Sequence, residues 1–269
     1  MTEPGEGAAE GGRLLVDDGG SGVARLTISN PGKRGALDHA ILDAFARLMP
    51  ELNARCVIVT GVGDTFSAGY DIGNLPDGVL ESEAERLVAH PFTAAIEAIA
   101  AYPFPTIAAL NGHAIGGGLE LALACDLRIA ADAVLLAMPP GKLGLVYSHT
   151  GIARFIDVIG AARTRELFLA GTRIDAATAL SWGLVNRVTE PQRLAELALD
   201  WATAIAADAP LAQRGNKRVI DAVLAAPGQL DARTERELIE LREACFRSED
   251  FREGVRAFAA KRAPRWQGQ

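Results

Sequence analysis

A run of three glycines between a buried strand and a helix is the feature that most constrains this fold. The apolar segment Thr106–Leu110 predicts the strand, glycines occupy positions 116–118, and a short helix is predicted over Leu119–Ala124. Glycine permits positive φ angles and lets a ligand approach the backbone closely. The start of a helix presents unpaired N–H groups and the positive end of its dipole. This turn therefore suits an anion or an oxyanion, with Glu120 in the first helical turn.

Two phosphate-binding motifs are excluded by the residues around the glycines. A P-loop needs Gly-Lys-Ser/Thr, whereas Leu119 and Glu120 follow Gly118 here. A dinucleotide-binding fingerprint lies near the first strand of a βαβ unit, and this run comes later with a different spacing. A tight strand-to-helix turn that binds nothing remains open at this point.

A second glycine-bearing turn favours a shared site. The segment Phe66–Ile72, Phe-Ser-Ala-Gly-Tyr-Asp-Ile, follows the buried strand predicted over Cys56–Thr60, after Gly61 and Gly63. Parallel strands bring their carboxyl ends to one edge of a sheet, where ligands bind in α/β folds. We therefore expect this turn and the glycine run to converge at one crevice.

The rest of the chain alternates strands and helices and then becomes helical. Further strands are predicted over Leu14–Val16, Val23–Ser29, Leu127–Ala130, Val134–Ala137 and Leu184–Val188, and further helices after Asp38, over Ser82–Ala101 and beyond Gly151. This alternation predicts an α/β fold with parallel strand pairing. We expect a disordered N-terminus at residues 1–12, a core at residues 13–200 and a helical C-terminal region at residues 201–269. The late helices are amphipathic, so they either close over the core or pack against a neighbouring subunit.

Composition and charge limit the classes of partner. The 269 residues carry a formal net charge of −7, which does not support nucleic-acid binding, so an anionic ligand needs a local basic patch. The three cysteines are widely spaced and form no C-x-x-C pair, which favours a reduced, cytoplasmic protein. We expect no secretory signal, no membrane span and no metal site.

The two glycine segments together resemble the signature segments of the crotonase (enoyl-CoA hydratase/isomerase) superfamily. Phe66–Ile72 matches one signature, and Asn-Gly-His-Ala-Ile-Gly-Gly-Gly-Leu-Glu-Leu-Ala-Leu-Ala-Cys-Asp at residues 111–126 matches the other. Supporting matches lie at residues 32–37, 179–185 and 248–254, so the resemblance covers nearly the whole chain beyond Gly12. It implies a crotonase-type spiral of ββα turns with a helical C-terminal region, assembled as a homotrimer or a dimer of trimers.

The resemblance also implies an oxyanion hole for an acyl-CoA thioester. By motif position, the backbone N–H groups of Tyr70 and Gly117 would bind the thioester oxygen as it gains enolate charge. Losing one such preorganised donor costs roughly 2.7–4 kcal/mol of transition-state stabilisation. Coenzyme A enters as part of the substrate, and no permanently bound cofactor is implied.

Residues that would contact CoA follow from the same resemblance. Its adenine and phosphate contacts map, partly through backbone groups, onto Lys33, Arg34, Ala36, Ala68, Asp71 and Ile72. On the last helix, the positions that reach CoA from a neighbouring subunit in relatives are occupied by Phe258 and Lys261. A phosphate-bearing ligand would suit the basic cluster Arg256, Lys261, Arg262 and Arg265.

The reaction depends on which acid–base groups accompany the oxyanion hole. Superfamily hydratases pair two carboxylates, and Glu120 matches the first, but Pro140 occupies the second position and cannot transfer a proton. Tyr147 resembles a tyrosine of the methylmalonyl-CoA decarboxylase branch. That branch commonly has a histidine at the position where this chain has Tyr70. The resemblance favours an acyl-CoA lyase that decarboxylates a malonyl-type thioester. Tyr147 would hold the carboxylate, and Glu120 would protonate or position the acyl group.

Two other functions remain open at this point. One is an enoyl-CoA hydratase or isomerase that uses Glu120 with an acid from elsewhere in the pocket. The other is a non-catalytic protein that binds CoA thioesters. His113 and His149 are interpreted as packing or surface residues rather than bases, and Ser148 beside His149 forms no triad, because sequence neighbours usually point apart.

Overall fold

The computed structural model describes residues 11–71, 88–226 and 228–269. The predicted disorder of residues 1–10, the CoA contact of Ile72 and the first part of the helix predicted over Ser82–Ala101 lie outside these ranges. At the edge of the first described range, the Gly12 N–H donates to Asp38 Oδ2 at 2.7 Å, and the first strand begins at Arg13.

Ten strands form two sheets in the described residues. In chain order they are β1 (Arg13–Gly20), β2 (Val23–Ser29), β3 (Cys56–Gly61), β4 (Thr65–Ser67), β5 (Thr106–Leu110), β6 (His113–Ile115), β7 (Leu127–Ala131), β8 (Leu135–Ala137), β9 (Arg173–Asp175) and β10 (Arg187–Thr189). The larger sheet has the order β1-β2-β3-β5-β7-β10, and all of its pairs are parallel except β1–β2. The predicted α/β fold with parallel pairing is confirmed.

The smaller sheet has the order β4-β6-β8-β9, and the sequence did not predict three of its strands, β4, β6 and β9. β4 and β6 each span three residues and pair in parallel with each other. Three residues are too few to show the alternation of a strand in the sequence. Pairing with neighbouring strands, rather than local propensity, holds these segments extended. The glycine run therefore follows β6 and not β5 directly, which corrects the predicted strand-to-helix turn.

Nine α-helices occur within the described ranges. They are α1 (His39–Leu48), α2 (Thr93–Ala100), α3 (Gly117–Ala124), α4 (His149–Arg165, kinked at Gly160), α5 (Ala176–Ser181), α6 (Leu194–Ala206), α7 (Pro210–Ala225), α8 (Ala232–Arg247) and α9 (Glu249–Ala259). No helix in these ranges is long and apolar enough to cross a membrane.

Local sequence chemistry explains where some of these elements begin and end. The Asp38 side chain caps α1 as predicted, accepting from the Ile41 N–H at 3.0 Å. The strand predicted over Leu184–Val188 was placed too early. The Leu184 and Val185 N–H groups instead bond back to the Ala179 carbonyl in the turn after α5, and β10 begins only at Arg187.

The helical C-terminal region is attached to the core at a partly buried ion pair. Lys217 on α7 donates to Asp126 Oδ2 at 2.7 Å and to the Phe104 carbonyl at 3.3 Å. Asp126 Oδ2 also accepts from the backbone N–H and the hydroxyl of Thr106, at 2.7 and 2.9 Å. A buried charge is tolerated when it is paired and hydrogen-bonded, as Lys217 is here. The predicted boundary between residues 200 and 201 falls inside α6, so both predicted regions share that helix.

Candidate active site

The two glycine segments meet beside α3, as the sequence predicted. Gly69 has a φ of +92°, and a Cβ added there would lie 2.8 Å from the Ile115 carbonyl oxygen and 3.2 Å from the Gly117 nitrogen. A Cβ added to Gly118 would lie 2.5 Å from the Ser67 carbonyl oxygen. Only residues without side chains permit backbones to approach this closely.

Two backbone N–H groups at this junction are not used by the hydrogen bonds that form it. The Leu37 N–H donates to the Gly69 carbonyl at 2.7 Å, and the Asp71 N–H donates to the Leu37 carbonyl at 3.1 Å. These two bonds of the parallel bridge do not use the Tyr70 N–H, which lies on the opposite side of the extended segment. Gly117 is the first residue of α3, and its N–H has no partner within that helix. Their joint role as an oxyanion hole stays a prediction.

A cluster of four polar side chains adjoins this junction. The Tyr147 hydroxyl donates to Glu120 Oε2 at 2.5 Å, and Arg154 Nη1 lies 3.5 Å from Glu120 Oε1. The hydroxyl oxygens of Tyr70 and Tyr147 are 3.4 Å apart. The structure thus joins three of the predicted catalytic side chains through hydrogen bonds, and it adds Arg154, which the sequence analysis missed. Nothing in the local sequence indicates this contact, because it links residues that are 34 positions apart.

Aromatic packing and a glycine fix the positions of the two tyrosines. The Tyr70 ring contacts Phe92 edge-on with centroids 4.7 Å apart, and the Tyr147 ring contacts Phe168 in the same manner at 5.5 Å. The first turn of α4 passes close to the cluster, since a Cβ added to Gly151 would lie 2.7 Å from the Tyr147 ring and 2.8 Å from Glu120 Oε1. A side chain at position 151 would therefore separate Tyr147 from Glu120.

Burial governs the protonation of the cluster. It raises the pKa of Glu120 above the ordinary value of 4.5, although the Tyr147 hydrogen bond and the Arg154 charge act in the opposite direction. Burial likewise raises the pKa of Tyr70 and of Tyr147, so both hydroxyls keep their protons at neutral pH and can donate hydrogen bonds. The site therefore offers two phenol donors and a carboxyl group that takes up a proton more readily than an exposed one.

The pKa of Glu120 has a measurable consequence for stability. A carboxyl group whose pKa is higher in the folded state stabilises the fold below its unfolded pKa, and that contribution is lost as the pH rises through its folded pKa. A Glu120→Gln variant cannot ionise, so it should melt at a higher temperature than the wild type near neutral pH. Thermal melts from about pH 4 to about pH 8 should show this difference growing with pH. A constant difference across that range would contradict the prediction.

The predicted CoA-contacting residues near the N-terminus lie beside the second glycine segment. The Ala68 N–H donates to the Arg34 carbonyl at 3.1 Å, and Lys33 Nζ lies 2.5 Å from Asp71 Oδ2. The Ala36 carbonyl accepts from the Asn30 side chain at 2.9 Å. These contacts bring the loop of residues 30–37 against the turn that carries Tyr70. Their role in binding CoA stays a prediction.

The predicted contacts on the last helix lie in a different environment. Phe258 on α9 is 88% exposed, so the apolar face predicted for this helix is not covered by the chain's own core. Lys261 follows the end of α9. In the basic cluster, Arg262 pairs with Glu253 at 2.6 Å, so part of its charge is already compensated. Contact with CoA from a neighbouring subunit, and the trimer itself, stay predictions.

The residues that were not predicted to act as bases make structural contacts or are exposed. His113 accepts a hydrogen bond from the Leu135 N–H through Nδ1 at 3.0 Å. Ser148 caps α4 by accepting from the Gly151 N–H at 3.1 Å, and His149 is exposed in the first turn of that helix. Pro140 is buried and begins the 3-10 turn Pro140–Leu143, where proline fits because its nitrogen needs no acceptor.

Known proteins are similar to this chain in sequence and in fold. Residues 18–269 match the family Enoyl-CoA hydratase/isomerase. The chain is 35% identical to the carnitinyl-CoA dehydratase of Salmonella typhi, over 92% of this chain and 95% of that protein. It is 37% identical to YngF of Bacillus subtilis, over 91% and 95% of the two chains. The crystal structure of an enoyl-CoA hydratase from Bacillus anthracis superposes with a TM-score of 0.87 at 30% identity, covering 96% of this chain and all of that one.

These matches in sequence and fold define a class of enzymes that act on acyl-CoA thioesters. The chain belongs to the enoyl-CoA hydratase/isomerase family and is an acyl-CoA enzyme of the crotonase superfamily. The predicted crotonase-type fold is therefore confirmed.

Proposed function

We propose that this enzyme decarboxylates a malonyl-type CoA thioester such as methylmalonyl-CoA. One observation carries the proposal: Tyr147, Tyr70 and Arg154 surround a single carboxylate, that of Glu120, and no second carboxylate of the described residues joins their contacts. Hydration needs both a base and an acid, and Pro140 occupies the position at which superfamily hydratases carry their second carboxylate. Decarboxylation needs no base strong enough to remove a proton from carbon.

The chemical steps balance with the groups present. The bond between the α-carbon and the substrate carboxylate breaks, and its electron pair forms an enolate whose charge lies on the thioester oxygen. The N–H groups of Tyr70 and Gly117 would stabilise that oxygen. CO2 leaves, the Glu120 carboxyl gives a proton to the α-carbon, and a solvent proton restores Glu120. Each turnover consumes one proton and yields the shorter acyl-CoA.

The protonation of the cluster suits this sequence of steps. Tyr147 has one hydroxyl proton and in the free enzyme donates it to Glu120. When a substrate carboxylate accepts the Tyr147 hydrogen bond instead, Glu120 loses that donor. The raised pKa of Glu120 then favours protonation of its carboxylate. The Tyr70 hydroxyl, adjacent to Tyr147, is a second donor for the substrate carboxylate. Lys33, Arg34, Ala36, Ala68 and Asp71 would hold CoA, with Phe258 and Lys261 of a neighbouring subunit in a trimer.

A direct assay tests the proposal. The purified enzyme should release CO2 from methylmalonyl-CoA and should hydrate crotonyl-CoA far more slowly. Hydration of crotonyl-CoA at an ordinary enzymic rate without CO2 release from methylmalonyl-CoA would refute it.

Tyr147→Phe should impair decarboxylation specifically. The variant keeps the ring packed on Phe168 but loses the hydroxyl that would hold the substrate carboxylate. We expect kcat/KM for methylmalonyl-CoA to fall about 10- to 150-fold, the range that corresponds to about 1.5–3 kcal/mol for a hydrogen bond to a charged group. The matched control is Tyr102→Phe, which removes a hydroxyl bound to the Ala54 backbone, away from this cluster. An unchanged kcat/KM in Tyr147→Phe would contradict the assigned role.

A second candidate is hydration or dehydration with Glu120 as the acid–base group. The similarity to a carnitinyl-CoA dehydratase favours it, since that protein is named for elimination of water. In this case Tyr147→Phe should leave hydration of an enoyl-CoA nearly intact. The two candidates therefore predict opposite outcomes for one variant.

A further inference from the structure

The Glu120–Arg154 contact leaves most of the arginine's donors unused. Arg154 Nη1 approaches Glu120 Oε1 at 3.5 Å, the outer limit of a hydrogen bond, whereas the Tyr147 hydroxyl approaches the other oxygen at 2.5 Å. A guanidinium group carries five N–H donors in a fork that matches a carboxylate with two bonds. In the portion of the chain described, Arg154 forms no ion pair with any other carboxylate. Its side chain is 26% exposed, so it is not sealed inside the core.

We propose that Arg154 selects acyl groups that carry a carboxylate, by binding that carboxylate with the donors that Glu120 leaves unused. This inference rests on the proposed decarboxylation and names the residue that would set its substrate class. The donor set is already one that binds a carboxylate, because a phenol hydroxyl and a guanidinium flank the two oxygens of Glu120. A substrate carboxylate beside Glu120 meets the same two donors.

Charge balance in the pocket supports this selection. Glu120 and Arg154 together carry no net charge when the glutamate is ionised. A second carboxylate would add a negative charge to a buried site, and two adjacent carboxylates cannot both remain ionised at ordinary pH. The charged groups and hydroxyls that face Glu120 among the described residues are Arg154, Tyr147 and Tyr70, and none of them can supply a further positive charge. Protonation of Glu120 frees Arg154 to pair with the substrate.

Two unreactive ligands separate charge recognition from catalysis. In S-(2-carboxyethyl)-CoA a methylene replaces the thioester carbonyl of malonyl-CoA, so the ligand keeps the carboxylate and cannot react. S-Propyl-CoA has the same chain length without the charge. The affinities of both are measured by calorimetry for the wild type, Arg154→Gln, Arg154→Lys and the control Arg165→Gln, which removes an exposed positive charge from the same helix.

The ratio of the two affinities tests whether Arg154 selects the carboxylated ligand. The wild type and Arg165→Gln should prefer the carboxylated ligand, and Arg154→Gln should reduce that preference by about 30-fold or more, with binding of S-propyl-CoA unchanged. Arg154→Lys should retain part of the preference, because a lysine keeps the charge without the fork. An equal loss for both ligands, an unchanged ratio in Arg154→Gln, or no preference in the wild type would overturn the inference.

The outcome for Arg154 is distinguishable from the outcome for the proposed reaction. If methylmalonyl-CoA is decarboxylated but the preference does not depend on Arg154, only the selection by Arg154 fails. If the preference depends on Arg154 but no CO2 is released, the proposed reaction fails and the recognition of a carboxylated acyl group stands.

Discussion

Replacing Glu120 by Gln is expected to lower kcat for methylmalonyl-CoA by about 10²- to 10⁴-fold, the usual contribution of a positioned acid–base group. Glutamine has the shape of glutamate and can still accept the Tyr147 hydrogen bond, but it has no acidic proton to give to the enolate. The affinity for S-propyl-CoA should therefore stay close to that of the wild type. Steady-state kinetics and calorimetry on the same preparation measure both quantities.

The control for this variant is Glu196→Gln, which changes an exposed glutamate in the first turn of α6. It alters net charge by the same amount and should leave kcat unchanged. A Glu120→Gln enzyme with wild-type kcat would show that Glu120 transfers no proton. Loss of activity in this variant, with binding kept, would also dispose of the hypothesis that the protein only binds CoA thioesters.

Gly118→Ala is expected to damage both stability and activity. The added methyl group would lie 2.5 Å from the Ser67 carbonyl oxygen and 2.6 Å from the Ser67 Cβ, so α3 and the end of β4 must separate. Overpacking of this kind costs typically about 1–3 kcal/mol of unfolding free energy. The same separation would pull the Gly117 N–H away from the Tyr70 N–H. A misplacement of about 1 Å in an active site can reduce the rate by about 10²-fold.

The matched control is Gly215→Ala in the middle of α7, where an added Cβ would meet nothing within 4 Å. Alanine is a better helix former than glycine, so this variant should gain about 0.5–1 kcal/mol of stability and keep its activity. Urea unfolding gives both free energies. A Gly118→Ala protein as stable and as active as the wild type would mean that the two glycine segments are not in fixed contact.

Elements with a strong local pattern were predictable from the sequence. The β5 strand runs from Thr106 to Leu110 as predicted because all five residues are buried, which produces a continuous apolar run. The start of α1 follows from the capping chemistry of Asp38. The convergence of the two glycine segments followed from the rule that ligands bind at the carboxyl ends of parallel strands.

The rest of the site depends on contacts that the local sequence does not record. β4 and β6 are too short to show alternation, yet their pairing carries both glycine segments into place. The start of α3 was placed at Leu119 rather than Gly117, because glycine has low helix propensity and only the surrounding backbone holds it helical there. Arg154 joins Glu120 through the orientation of α4, which is a property of the packed fold rather than of the residues around either side chain.

Gly69 and Gly116 both adopt positive φ angles, at +92° and +56°, and they hold a main-chain junction that no side-chain substitution elsewhere in the pocket can delete. The backbone of the site can therefore stay the same while the side chains of the pocket change. Substitutions at positions 70, 140, 147 and 154 would change which acyl group binds and how the enolate reacts. The backbone that would stabilise the enolate would stay the same. With the proposed oxyanion hole kept in its backbone, such a chain would need few mutations to acquire a new reaction.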